Sequence, residues 1–419
     1  MSNDNLSTPT RRSVLKATGA AAAATTVGPQ AVSARPDSSD PSLPEGTRVF
    51  LGGNVSFDLP AGLERSGLGN ADLIVVAPDT TVARGNLVAA LKQGKPVAFA
   101  GTPAFDGLLS TVFDVPQTAV EQAIRNGRPH EGTDLPYSFG FEYSYANEET
   151  VALAFPASGS LNIFRLRTGE ATSSTVFDFL GQKLQAGGDD VTTTGDTTLQ
   201  PTGTICPPAT GNDTNWNCLG LDDLSVSDPC PYGGWDRRQW GARLQEDDTG
   251  NDWFGWETEL QIIPSANEDN NCSSNQWRND FMSRSMTFND GEIDDYGPPS
   301  DEGDYTTTKS VGFSLSAGFD SVEGTGSISF SESKTTSGVK VGTFVGNADE
   351  QVDYDFDIKR GGNVSDETLT SYMGQRTKVA NNTTSTDYAY DDTWRWYDNT
   401  LFGTNTHTEE DYGTAYWSA

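Results

Sequence analysis

The chain has 419 residues, with 27 Lys and Arg against 59 Asp and Glu, a net charge of −32, two His and four Cys. At roughly 100–200 residues per domain this length predicts about two domains, each able to bury a core. So acidic a surface argues against nucleic acid and anionic membrane as partners, and two His leave most His-dependent chemistry without its residue.

The N-terminus carries Thr10-Arg11-Arg12-Ser13-Val14-Leu15-Lys16, then an Ala-rich run, then Val32-Ser33-Ala34. This resembles a twin-arginine (Tat) signal spanning 1–34, with Arg11 and Arg12 as the pair and Ala34 at the small-residue cleavage site. The resemblance implies handling by the Tat translocase and an extracellular or cell-surface destination. No Cys follows the apolar run, so a lipid anchor is not expected, and no later run reaches the ~18 apolar residues of a membrane helix. Without Arg11, Arg12, Lys16 and Asp4 the chain keeps 24 basic and 58 acidic residues, a net of −34. Asp outnumbers Glu, 39 to 20, and Lys falls to nine beside 18 Arg. Self-repulsion of that size is screened within about 3 Å at 1 M salt. The balance resembles proteins of extreme halophiles, and Tat export fits the haloarchaea.

After a linker at 35–46, residues 47–186 alternate strand and helix patterns. Val49–Leu51 is a short strand, and Asp72–Ala77 and Pro96–Gly101 are apolar runs of the kind buried on both faces of parallel sheets. Helices are expected at about 82–93, from Thr102 with Pro103 in its first turn, at 117–126 up to Gly127, and at 174–185. Strands are expected near Phe139–Tyr145, Thr150–Phe155 and Leu161–Leu166. That order predicts an open α/β sheet with helices on both faces, whose ligands would sit past the strand ends near Asp79 and Thr102. Helix capping is the plainer role for those two residues. Neither strand is followed by a phosphate-binding glycine motif, and this region has no Cys and one His, His130.

Residues 187–204 hold Gly, Thr, Asp and Pro without apolar periodicity and read as a linker. All nine Trp and all four Cys lie in 205–419. Strand patterns at 253–263, 284–288, 309–319, 326–331, 339–345 and 351–358 predict an antiparallel, sandwich-like all-β domain with a long hairpin.

Cys206, Cys218, Cys230 and Cys272 lack the close pair that zinc sites use, and an even count in an exported chain predicts two disulfides of unspecified pairing. Trp235, Trp240, Trp253 and Trp256 crowd one segment with Glu257 and Glu259. On a strand, Trp256 falls on one face and Trp253, Glu257 and Glu259 on the other. Trp256 is therefore expected in the core, while Trp253, Glu257, Glu259, Trp235 and Trp240 form a candidate carbohydrate-binding surface. The two glutamates could also serve as a hydrolase pair. Asp353, Asp355 and Asp357 alternate with apolar residues; they are candidate Ca²⁺ ligands or the solvent face of a half-buried strand, and the Ca²⁺-loop pattern is absent. No metal site or cofactor is otherwise indicated. Asn-x-Ser/Thr acceptors stand at Asn54, Asn212, Asn271, Asn363, Asn381 and Asn382.

Val311, Phe313, Leu315 and Phe319 alternate with Ser and Gly, and after a turn at 320–324 Ile328 and Phe330 alternate with Ser327, Ser329 and Ser331. Segment 309–345 resembles the membrane-inserting hairpins of β-pore-forming proteins such as the aerolysin and leukocidin families. An ordinary sandwich hairpin has the same pattern. The second strand alternates cleanly only over 326–331, shorter than the ~9–11 residues a spanning strand needs, which favours the sandwich.

The sequence is thus read as a secreted or cell-envelope binding or adhesion protein of a halophile, with a glycan or an envelope protein as its partner. The alternatives are an antagonistic or pore-forming factor acting through 309–345, for which membrane becomes a partner, and an extracellular hydrolase.

Overall fold

Leu73-Ile74-Val75-Val76 and Val97-Ala98-Phe99-Ala100 contain no polar position, and every one of these residues is buried. A strand without a polar face needs cover on both sides. The four short strands β1 (Arg48–Leu51), β2 (Glu64–Arg65), β3 (Leu73–Val76) and β4 (Val97–Ala100) run parallel in the order β2-β1-β3-β4. Helices α1 (Arg84–Lys92) and α2 (Ala104–Leu108) cover one face, where Leu87, Leu91, Phe105 and Leu108 pack on Ile74, Val76, Val97 and Phe99. Helix α3 (Ser173–Lys183) covers the other, with Val176, Phe177 and Leu180 on Val49, Leu73, Val75 and Ala98. Thr172 caps α3 by accepting the Thr175 N–H at 3.2 Å. Thr102 does not cap α2, whose N-cap is Pro103, and the chain enters α1 through Ala83; neither start carries a side-chain cap. The expected caps at Asp79 and Thr102 are thereby corrected.

The computed structural model describes residues 43–114, 135–184, 216–226, 231–244, 251–265, 277–300, 308–316, 327–346 and 350–419, apart from 53, 147, 158, 170, 290, 299, 337, 381–382 and 401–402. The signal residues Arg11, Arg12 and Ala34, the helix expected at 117–126, His130 and the linker 187–204 lie outside them.

Strands β5 (Ser138–Ser144), β6 (Glu149–Ala157) and β7 (Ser160–Arg167) extend the sheet, β6 antiparallel to β4 and β7 antiparallel to β6. At β7 the sheet forks. Ser160 and Leu161 pair with β5, while Ile163–Arg167 pair with β8 (Trp216–Val226). Between the two sets Asn162 accepts the Leu221 N–H through its side chain at 3.1 Å, so the backbone group freed by the split stays satisfied. One limb continues from β8 through β9 (Gly233–Leu244), β10 (Asn251–Pro264) and β17 (Leu369–Ala380) to β12 (Glu292–Gly297). The other runs from β5 through β19 (Gly403–Ser418), β18 (Ser385–Thr400), β11 (Arg278–Phe288) and β16 (Gln351–Ile358) to β15 (Val339–Val345). Strands before and after 187–204 therefore belong to one hydrogen-bonded sheet. The chain is β-rich and dominated by this large mixed sheet.

The two limbs enclose a common core. Phe254, Trp256, Leu260, Ile262 and Met373 of one meet Met282, Phe288, Tyr354, Tyr388, Trp394 and Trp417 of the other. Trp256 lies 5.4 Å from both Trp417 and Tyr388, and Trp235 stacks on Trp394 at 3.7 Å. Such aromatic pairs add roughly 0.5–1.5 kcal/mol each beyond their area burial.

Candidate functional site: a detached ribbon and the charges behind it

Among the described residues, strands β13 (Thr308–Ser316) and β14 (Ser327–Thr336) pair only with each other, forming a two-stranded sheet apart from the large one. In their register Phe313 stands opposite Phe330 and Leu315 opposite Ile328. Directly opposed residues share a face, so these pairs lie on one side of the ribbon, which Val311 with Glu332 continues; Ser314 with Ser329, Ser316 with Ser327 and Gly312 with Ser331 place small and polar residues on the other. A bulge shifts the register between Ser310 and Val311, the latter facing Glu332 and the former Lys334, so Ser333 is the extra residue. The sequence alternation stops at Ser331 because Glu332 stands at the apolar parity opposite Val311, and the bulge then shifts the parity while the strand continues. The second strand is longer than expected, ten residues against nine in the first. Phe319 and the turn at 320–324 lie outside the described residues.

The backbone of β13 lies against β17 and β10. Over most of β10 both edges are taken, by β9 and β17, and Phe254, Trp256, Leu260 and Ile262 fill the inner core. The opposite face is that of Trp253, Glu257 and Glu259, shared with Trp240 and Arg238 of β9. These residues are 5%, 3% and 5% exposed, and Trp235 and Trp240 are 1% and 4% exposed. The expected open aromatic surface is corrected accordingly. β10 is a central strand covered on both sides, a condition that strand parity cannot reveal. Trp240 joins the core beneath α3, Trp235 lies between the limbs, and the Arg376 guanidinium sits 5.1 Å from the Trp253 ring centre. Glu259 reaches Arg238 at 3.6 Å, whereas Glu257 Oε2 has no hydrogen-bond partner. Burial, reinforced by Glu259, pushes the Glu257 carboxyl well above the usual carboxylate range, and burial also raises Glu259.

Behind this face, at the fork, sits a closed ionic network that sequence reading missed. Glu142 of β5 donates its backbone N–H to Asp222 of β8 at 3.0 Å, tying the diverging limbs. Arg237 places Nε 2.6 Å from Glu142 Oε2, and its Nη1 lies 2.8 Å from Asp392 and 2.7 Å from Asp411. Arg284 binds both Asp392, at 2.8 Å, and Glu142. Arg165 bridges Asp222 at 2.6 Å and Glu149 at 3.1 Å, and Arg167 reaches Asp411 at 3.0 Å. Burial pushes Asp222 and Asp392 up to about 6, against the pull of Arg165 on the first and of Arg284 and Arg237 on the second. Burial also acts to raise Asp411, but Arg237 and Arg167 outweigh it and hold that carboxyl at about 2. Each carboxylate is engaged by a guanidinium and sealed from solvent. The network can brace the two limbs and fix their register; it has no room for a substrate.

Cys218, the one cysteine among the described residues, is disulfide-bonded. Cys206, Cys230 and Cys272 lie outside them. Val352, Tyr354, Phe356 and Ile358 are buried while Asp353, Asp355 and Asp357 are half-buried on the opposite face. Asp353 accepts from Ser285 at 2.6 Å and from Gln351 at 2.9 Å, and among the described residues no group of side chains is placed to hold a metal ion.

No family model matches the chain, and no curated protein does. Among solved structures, Clostridium perfringens delta-toxin aligns over 48% of this chain and 89% of its own, at 9% identity and a TM-score of 0.30. A pore forming protein aligns over 47% of this chain and 89% of its own, at 9% identity and a TM-score of 0.29. The Clostridium perfringens NetB toxin in the membrane inserted form aligns over 46% and 94%, at 8% identity and a TM-score of 0.24.

Proposed function

We propose that this protein is a Tat-exported, membrane-active factor of a halophile, and that the β13–β14 ribbon is the element that enters a bilayer. One observation carries the reading: the ribbon is amphipathic along its register and makes no ladder hydrogen bonds to the large sheet. An element that leaves a soluble fold must not be a rung of its sheet. Strands of nine and ten residues match the ~9–11 needed to cross hydrocarbon, with the apolar side toward lipid and the Ser/Gly side toward water. The strong negative charge does not oppose this at molar salt, where the Debye length is about 3 Å.

The test is dye release from ether-lipid vesicles in molar KCl. The full chain should release dye, and a variant lacking 311–330 should not, while keeping its thermal midpoint. No release by the folded full chain at any protein concentration up to micromolar would discard the reading.

A further inference from the structure

On the outer face of the limb that ends at β15, one row of residues runs in register across five strands. Lys340 of β15 stands opposite Asp357 of β16, and Asp357 opposite Phe281 of β11. Phe281 in turn stands opposite Arg395 of β18, and Arg395 opposite Thr408 of β19. Beside this row β11 bulges between Asn279 and Phe281, and the extra residue is Asp280. A bulge re-aims the side chain it carries. Here the Asp280 carboxylate, 3% exposed, is turned onto two guanidiniums. It accepts from Arg360 Nε and Nη2 at 2.6 and 2.7 Å, and from Arg395 Nε at 2.6 Å. Both arginine side chains stay open to solvent, at 44% and 36% exposure. Each is also steadied by a ring, Arg360 5.2 Å from the Tyr397 centre and Arg395 4.8 Å from that of Phe281. The Tyr397 hydroxyl accepts the Gly361 N–H at 2.7 Å and so fixes the turn that presents Arg360. Burial acts to raise Asp280, but hydrogen bonds from Arg360 and Arg395 outweigh it and hold the carboxyl below its ordinary range. Two positive charges thus share one negative charge. The neighbouring acids are answered: Asp366 binds Arg278 at 2.7 Å, and Asp357, which acts on Arg360, faces Lys340. Acids resume one rung along this face, at Asp355 and Glu410.

We propose that Arg360 and Arg395 form a binding site for a single phosphate group, which bridges the two guanidiniums on their solvent side while Asp280 holds both from beneath. A guanidinium offers a planar fork of N–H donors that matches a phosphate oxyanion, and a fork already fixed by a buried carboxylate and a ring loses little freedom on binding. Asp280 uses only one edge of Arg360 and one nitrogen of Arg395, so donors remain on both. The acidity of the whole chain repels an extended polyanion, but one phosphate needs only this site. At molar salt the repulsion from Asp355 and Glu410 is screened within about 3 Å, whereas direct hydrogen bonds to the oxyanion persist. The inference does not depend on the ribbon β13–β14.

Calorimetric titration of the full chain with inorganic phosphate in molar KCl at neutral pH should show one saturable site. Phosphate at constant ionic strength should also raise the thermal midpoint, a readout that needs no variant. Arg395→Lys and Arg360→Lys each keep a cation on Asp280 but lose the fork, and each should weaken binding at least tenfold. Arg48→Gln removes an exposed cation from the Asp72 pair on β1, outside the patch, and should bind as the unaltered chain does. No saturable binding by the unaltered chain would overturn the site. So would unchanged affinity in both lysine variants, or an equal loss in Arg48→Gln. Vesicles of phosphate-bearing ether lipid, compared with vesicles of uncharged glycosyl ether lipid, identify the source. Retention on the first alone, lost in Arg395→Lys, assigns a lipid headgroup; phosphate binding without vesicle preference assigns a soluble phosphate ester.

Discussion

Phe313 and Phe330 stand directly opposite each other in the β13–β14 register, in a ribbon that no ladder bond ties to the large sheet. If that face is kept for lipid, truncating it removes function before it removes stability. Phe313→Ala is expected to lower dye release at least tenfold while shifting stability by less than about 1 kcal/mol. A core phenylalanine would cost roughly 3–5 kcal/mol, and a loss of that size in chemical unfolding would mark the ribbon as an ordinary sandwich element.

Gly140 lies beneath Trp417, and a Cβ added there would stand 1.8 Å from the indole; a Cβ added at Gly241 on β9 would stand 2.6 Å from the same ring. Both glycines leave room for a tryptophan wedged where the limbs diverge, paired in register with Gly140 itself. Gly140→Ala should therefore destabilise by at least roughly 1–3 kcal/mol, the range of core overpacking. An unchanged thermal midpoint would show that the ring is not locked in place.

The fork network sets a pH profile. Asp222 and Asp392, at about 6 in the folded chain, sit above their ordinary 3.8, so the folded state binds more protons and stability declines as pH rises from about 4 to 6. Asp411, at about 2, has the opposite sign, and its contribution is lost as pH falls from about 4 to 2. At constant molar salt the thermal midpoint should peak in mildly acidic buffer. Arg237→Met should cost about 3–5 kcal/mol, because it leaves Glu142 and Asp392 to Arg284 and Asp411 to Arg167, with one buried positive charge too few, and the deficit should shrink near pH 5 as Asp392 takes a proton. An equal deficit at pH 5 and pH 8 would show that the carboxylates find other partners.

Runs with a single period were legible from sequence: the apolar β3 and β4, and the strict alternation of Val352 to Ile358. β18 and β19 were not. On β18 the inward positions run Tyr388, Tyr390, Asp392, Trp394 and Trp396, and on β19 they include Asp411 beside Ala415 and Trp417. A charge at a core parity breaks the apolar signal, and its partners Arg237 and Arg284 arrive from β9 and β11, far along the chain. The faces of Trp253 and Trp256 followed from strand parity, but what covers the outer face did not, since cover depends on tertiary placement. The rest of the second ribbon strand was hidden for a local reason: Glu332 puts a charge at the apolar parity and the extra residue at Ser333 shifts the parity beyond it, while pairing continues to Thr336.

The four cysteines give a covalent prediction. Cys218 is disulfide-bonded, and the even count of four cysteines predicts two bridges. Reduction should add four hydrogens to the intact mass and remove roughly 2–4 kcal/mol per bridge. Alkylation of any thiol in the unreduced protein would contradict it.

Salt is the broadest lever on this chain. The 58 acidic residues left after the first 34 face 24 basic ones, and Arg165, Arg237 and Arg284 lie in the fork network, sealed from solvent with their counter-ions. The surface therefore carries nearly the whole acid excess. Exposed charges repel one another over a Debye length, about 10 Å at 0.1 M and about 3 Å at 1 M, while buried pairs are screened far less. Falling salt should thus weaken the fold through its surface and leave the fork network as the last structure to go. The thermal midpoint is expected to rise steadily from 0.1 to 3 M KCl. Hydrogen exchange at low salt should open the edge strands β12 and β15 before Glu142 on β5 or Arg237 on β9. A midpoint that does not move between 0.1 and 3 M would remove the halophilic assignment, and with it the account of why so acidic a chain can approach a membrane.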